Sequence, residues 1–238
     1  MRKFTIAAGA AIIASLIAVP IASAFQAPEP ELTMSVTPTK AGKKSKPKSS
    51  KLKLKIVNPD PSLTASRLVI TMPSTVKLNT RGFAECDADE LEAEGTSACP
   101  SASKIGSGVA HARSGVNTAT PTPLTFDLTA FIIGNKKLGF FIEQQGGAIR
   151  TLAEATIKSR KLDISIPQLA QEFPTGTFNG LVDIQTSITK KRGRNALVTT
   201  TGCKQRKHTF GLEITYIANP LPENAGTAET TDDARCSA

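Results

Sequence analysis

The chain has 238 residues, 39% hydrophobic and 21% charged, with 29 Lys and Arg against 20 Asp and Glu for a formal net charge of +9. That apolar share excludes wholesale disorder, and four Cys over this length exclude a scaffold held together by disulfides alone. Two His and four Cys, none at close ligand spacing, leave little material for a zinc site, so neither a metal nor a cofactor is expected.

Met1-Arg2-Lys3 precede an apolar run over 4–19, and Pro20 and Ala22-Ser23-Ala24 follow it. A basic start, an apolar stretch and a small-x-small site make residues 1–24 a secretory signal peptide with cleavage after Ala24. The run of about 16 residues falls short of the roughly 20 that a spanning helix needs. No later stretch is apolar enough to cross a membrane, so the mature chain is expected to be secreted with no transmembrane segment.

Residues 25–50 hold a first strand at 31–37 and then a Pro/Ser/Lys-rich segment. From Lys51 the pattern becomes period two, as in half-buried strands. Leu52, Leu54 and Ile56 alternate with Lys51, Lys53 and Lys55. The same alternation runs through 124–130, 161–166, 182–188 and 208–216. Further strands are expected over 66–72, 76–80, 105–112, 137–143, 150–158 and 195–202. Turn residues separate them, including Asn58-Pro59-Asp60-Pro61, Gly146-Gly147 and Pro174-Thr175-Gly176. No helical pattern recurs between strands, which excludes a nucleotide-binding α/β sheet. The expected fold is all-β: an antiparallel β-sandwich, immunoglobulin-like or jelly-roll-like, over 51–217 with strand 31–37 included. A polar tail over 218–238 follows it.

One helix is expected, between Cys86 and Cys99. Asp87 caps it, Ala88 to Glu94 are good helix formers, and Gly95 ends it. The acids of this span lack the order of a calcium-binding loop, so they read as a solvated helix face.

All four cysteines lie in the exported part, and their even number outside the cytoplasm points to two disulfides with three connectivities open. Proximity in sequence favours Cys86–Cys99 and Cys203–Cys236, the second tying the polar tail to the last strands.

After residue 24 the chain carries 27 basic and 20 acidic residues. Residues 25–55 hold eight Lys against two Glu, while 56–238 are nearly balanced at 19 against 18. The local excess lies in Lys40, Lys43, Lys44, Lys46 and Lys48, continuing into Lys51, Lys53 and Lys55. It marks the candidate contact with an anionic envelope polymer or lipid surface. A solvated loop beside an edge strand, whose lysines block sheet-to-sheet aggregation, explains the same residues without a partner. Nucleic acid is a poorer partner, because no aromatic residues interleave with the lysines to stack bases. Two more basic groups, 190–194 and 204–207, flank the expected strand 195–202, whose eight residues at about 3.3 Å each would hold them some 26 Å apart.

Little in the sequence marks catalysis. Ile105-Gly106-Ser107-Gly108-Val109 lacks both the Lys of a phosphate loop and the spacing of a nucleophile elbow, so its glycines are expected to let a strand bend or pass close to another segment. Ser107 and His111 share a strand face about 13 Å apart, too far for proton transfer. His208 falls on the apolar face with Phe210, Leu212, Ile214 and Tyr216.

Three segments together resemble a family of secreted, functionally uncharacterised actinobacterial proteins. They are 32–42; Phe83-Ala84-Glu85-Cys86 with 99–108; and Thr201-Gly202-Cys203 with 208–216 and Cys236. The resemblance supports the β-rich fold and the two Cys pairs, and brings no catalytic residue. Relatives tend to place Trp where this chain has His208.

The function expected from the sequence is that of a secreted, non-enzymatic protein of the cell envelope or extracellular space, acting through surface contacts. A small secreted hydrolase with a site at the strand ends is the alternative.

Overall fold

A computed structural model describes residues 27–219 and 225–238; the signal peptide expected over 1–24 lies outside the described residues. In chain order the elements begin β1 (Glu31–Thr37), β2 (Lys48–Ser49), β3 (Lys51–Val57), β4 (Thr64–Thr71), β5 (Val76–Leu78) and α1 (Ala88–Glu94). The long hairpins follow as β6 (Lys104–Ser114), β7 (Thr122–Gly134), β8 (Lys137–Gln144), β9 (Arg150–Lys158) and β10 (Lys161–Ser165). The chain closes with α2 (Gln168–Gln171), β11 (Asn179–Ile188), β12 (Lys191–Arg192), β13 (Asn195–Ala196), β14 (Val198–Thr200), β15 (Lys207–Ile217) and β16 (Gly226–Arg235).

The protein is all-β, with the expected short helix between two bridged cysteines. Eleven strands form one antiparallel sheet in the order β1-β3-β11-β6-β7-β8-β9-β10-β4-β15-β16. Its two edges come together. The Met34 amide donates to Asp232 Oδ2 at 2.6 Å, Thr230 Oγ1 donates to Glu29 Oε1 at 2.9 Å, and Lys40 bridges Ser237 in parallel. The sheet is therefore nearly a barrel. Strands β4 and β11, far apart in that order, touch across the interior. Two opposed walls thus pack as in the expected sandwich, but they belong to one continuous sheet.

The period-two pattern explains the core. Leu32, Met34 and Val36 are buried along β1 while Glu31, Thr33, Ser35 and Thr37 are exposed. On β15 the buried set is His208, Phe210, Leu212, Ile214 and Tyr216. Burying an apolar side chain of this size contributes about 1.5–3 kcal/mol, and a one-residue slip would turn the whole set outward. Apolar residues point in and Lys, Ser, Thr and Glu point out, the reverse of a membrane-spanning barrel.

Helix α1 packs on the outer wall. Asp87 Oδ1 accepts from the amides of Asp89 and Glu90 at 2.9 and 3.1 Å, and Gly95 at φ 82° ends the helix. Leu91 is fully buried in a cluster with Phe131, Phe141 and Leu152 of β7, β8 and β9. The Cys86–Cys99 disulfide closes this loop.

Three segments differ from expectation, the first being the unexpected short helix α2 at Gln168–Gln171. The 218–238 tail holds a full strand: β16 pairs with β15 from Tyr216–Gly226 to Lys207–Arg235. The expected strand 195–202 is broken. Asn195 and Ala196 pair back onto β12, whereas Val198 to Thr200 lie between β2 and β5 in a separate three-stranded sheet.

Candidate functional site

The lysine segment is pinned to the barrel by its backbone. The amide of Ala41 donates to Ser237 O at 2.8 Å, and the amide of Ser237 donates to Thr39 O at 2.9 Å. Lys43 and Lys46 exchange amide–carbonyl bonds of 3.0 Å each, making a tight turn that projects Lys44. Lys48 pairs with Thr200. Gly42 is required there: a Cβ would lie 2.6 Å from Thr200 O and 2.8 Å from Lys46 O. Lys40, Lys43, Lys44 and Lys46 are exposed and Lys48 is half-buried. Among the described residues none of these five has a carboxylate within ion-pair distance.

The edge-strand explanation does not fit Lys51, Lys53 and Lys55, because β3 lies between β1 and β11. Directly opposite them stand Thr37, Ser35 and Thr33 on one side, and Ser187 and Gln185 face Lys53 and Lys55 on the other. Among the described residues they too have no carboxylate within ion-pair distance, so the segment continues as a positive stripe down one wall.

Because neighbouring strands run antiparallel, successive connections emerge at alternate ends of the barrel. The connections 38–50, 72–103, 135–136, 159–160 and 189–206 share one end. They carry Lys40, Lys43, Lys44, Lys46 and Lys48, then Lys136 and Arg160. The last of them adds Lys190, Lys191, Arg192, Arg194, Lys204 and Arg206, whereas 72–103 holds Lys77 and Arg81 with six acids, Glu85, Asp87, Asp89, Glu90, Glu92 and Glu94. The connections 58–63, 115–121, 145–149 and 166–178 belong to the other end and contain no Lys or Arg. The bases of the described connections are thus confined to one end, and the acids of 72–103 share that end with them.

The basic groups 190–194 and 204–207 therefore share one end, since 195–202 crosses that end instead of traversing the barrel. The Cys203–Cys236 disulfide sits at this junction. The amide of Cys236 donates to Arg206 O at 3.0 Å, and the adjoining Ser237 is bridged by Lys40. One disulfide thus brings the Lys204–Lys207 turn beside the start of the lysine segment.

Several titratable groups elsewhere are committed to structural pairs. Arg67 grips Asp163 with two bonds of 2.7 and 2.8 Å, and Lys158 reaches the same carboxylate at 3.2 Å. The Arg67 bond above all holds the Asp163 carboxyl down at about 2. The bond from Lys207, then that from Thr209, lowers Asp233. Both cysteine pairs are bridged, which leaves no thiol nucleophile among the described residues. His111 Nδ1 lies 3.0 Å from Asp183 Oδ1, a base with its orienting acid. Thr125 faces His111 from β7, and among the described residues no Ser or Thr hydroxyl bonds the imidazole, so the constellation lacks its nucleophile. His208 is buried beside Thr75 Oγ1 at 2.9 Å, and burial lowers its pKa. No group of three or more His, Cys, Asp or Glu able to hold a metal occurs among the described residues, and no helix there is long and apolar enough to cross a membrane.

The expected close approach at Gly106-Ser107-Gly108 is present. A Cβ on Gly108 would lie 2.7 Å from Thr186 Cβ, and one on Gly106 would meet the Ser187 carbonyl. The gathering of the basic connections at one end is not legible in the sequence. Numbering the turns alternately would have exposed it, had 195–202 not looked like one through-going strand.

The chain matches no protein-family model, no curated protein and no solved structure.

Proposed function

We propose that this protein is exported and non-enzymatic, and that it docks its basic end on an anionic surface of the cell envelope. The observation that carries this reading is the one-ended placement of bases: the connections at one end hold every basic residue of the described connections, four of them with no acid, while 58–63, 115–121, 145–149 and 166–178 at the other end hold no base. Lys40, Lys43, Lys44, Lys46 and Lys48 form the core of the contact, joined through the Cys203–Cys236 junction by Lys204 and Arg206. A one-ended field orients the molecule as it approaches a polyanion. Each lysine near an anionic surface contributes about 1 kcal/mol. A signal-like N-terminus and two disulfides support export.

The test is co-sedimentation of the mature protein with cell-wall fragments and with anionic vesicles across a salt series, beside a variant with all five lysines changed to Ser. Binding that weakens with salt and drops well over tenfold in the variant is the expected outcome. The arm that shows it tells polymer from lipid. Binding to neither, or binding indifferent to salt and to the substitutions, defeats the reading.

A further inference from the structure

The interior of the barrel is incompletely filled. A cavity of about 130 Å³ lies between the two walls, close to the roughly 150 Å³ of an apolar cavity that stays dry and binds benzene. Its lining reaches along β11 from Leu181 to Ile188, a span of about 23 Å at roughly 3.3 Å per residue. So small a volume over that length makes the space narrow, of a width suited to one alkyl chain. Local sequence creates it. The face of β6 opposite Ile184, Thr186 and Ile188 presents only Ala110, Gly108 and Gly106, and Ala112, one step further, also lines the space. Leu54, Ile142 and Ile184 point inward yet are only half-buried.

Among the described lining residues two side chains are polar. Thr186 Oγ1 is satisfied, donating to Ser107 O at 3.2 Å. Asn179, at the end of the cavity beside α2, is only 4% exposed. Its Nδ2 donates to Ala170 O at 3.2 Å, which sets the orientation of the amide, since an oxygen there would face an oxygen. Asn179 Oδ1 is left buried with no partner. An unmet acceptor at one end of a narrow apolar space asks for a molecule with one donor and a hydrocarbon tail.

We propose that the cavity is a binding site for a single-chain aliphatic alcohol, whose hydroxyl donates to Asn179 Oδ1 and whose chain lies along β11 and β6. A carboxylate head is disfavoured on two counts. It has no proton to give the Asn179 carbonyl, and no Lys, Arg or His lines the cavity to balance its charge. This inference stands apart from the basic end, which the opposite connections form.

Calorimetric titration of the mature protein with 1-octanol and with octanoate at pH 8 tests it, beside Asn179→Leu and Ala110→Phe. Octanol should bind at least tenfold tighter than octanoate. Asn179→Leu keeps the volume and removes the acceptor, so octanol should weaken about tenfold, equivalent to roughly 1.4 kcal/mol. Ala110→Phe fills the space and should abolish binding. No octanol binding to the parent protein, equal binding of octanoate, or undiminished binding in a folded Ala110→Phe overturns the proposal. Unchanged octanol affinity in Asn179→Leu overturns the role of Asn179. Should either variant fail to fold, the preference for octanol over octanoate in the parent protein decides alone.

Discussion

The amide of Met34 donates to the Asp232 carboxylate at 2.6 Å, so a side chain takes the place of a strand carbonyl at the seam between β1 and β16. The two edges run parallel there, and below the Lys40–Ser237 bridge the seam is held by side chains, Asp232 and the Thr230–Glu29 pair among them. Edge strands left open invite pairing with another chain. Asp232→Ala should therefore destabilise the fold by about 1–3 kcal/mol, the usual loss when a partly buried donor is left unmet. It should also raise the tendency to self-associate. Urea unfolding and solution mass at two concentrations read both, with Asp232→Asn retaining most of the stability. An Ala variant as stable and as monodisperse as the parent would show that the seam does not depend on this bond.

Tyr216 is the only tyrosine, and the chain has no Trp. Its hydroxyl donates to Asn58 Oδ1 at 3.0 Å, while Asn58 Nδ2 donates to the carbonyls of Asp60 and Leu181. Burial, and then the nearby negative charge of Asp60, push the phenol up to about 12 from 10.0. The folded-state pKa is raised, so the stability it brings is present below pH 10 and fades as pH climbs from there towards 12. Tyrosinate absorbance reports this one residue without interference. The native protein should titrate near 12 or together with unfolding, and the protein in urea near 10. A native midpoint at 10 would mean that the hydroxyl is not buried.

His208 gives the opposite sign. It is 1% exposed, and desolvation lowers its pKa below 6.5. The unfolded chain binds this proton first as pH falls, so stability is full above about pH 6.5 and declines below it, by at most about 1.4 kcal/mol per pH unit for one proton. Unfolding free energies at pH 7.5 and 5.5 should show that decline in the parent and a flatter response in His208→Gln. Equal slopes would place the acid sensitivity elsewhere.

How much of this was legible depends on what each segment buries. Strands 31–37, 51–57 and 208–216 could be read because their inward residues are large and regularly spaced. β16 could not: among its polar residues only Ala228 and Ala234 are buried, so its place is set by pairing with β15 and not by its own pattern. Asn179 opens a strand next to Gly180, a pair that reads as a turn; only the folded walls show that its amide is buried. The glycines at 106 and 108 were legible as a close approach, yet that they help open a cavity depends on which strands face them. The lysine segment was found by counting. Its union with the 190–194 and 204–207 groups rests on which end each connection leaves, a property of topology that no local window contains.

The two disulfides should separate stability from function. Cys86–Cys99 spans 13 residues and Cys203–Cys236 spans 33; in the chain-entropy account these loops correspond to about 3 and about 4 kcal/mol. Replacing either pair by Ser should thus lower the urea midpoint by similar amounts. Their effects on anionic-surface binding should differ. The first pair closes the α1 loop on the outer wall; Lys190 reaches only the Ser101 and Lys104 carbonyls beyond that loop, at 3.2 and 3.0 Å, so its loss should leave most of the salt-sensitive binding intact in the folded variant. The second fixes the Lys204–Lys207 turn and, through Ser237, the start of the lysine segment. Its loss should weaken binding several-fold at low salt, with less effect at high salt, where the charges are screened over about 3–10 Å. Equal binding by both variants would show that the basic groups act independently of the junction that joins them.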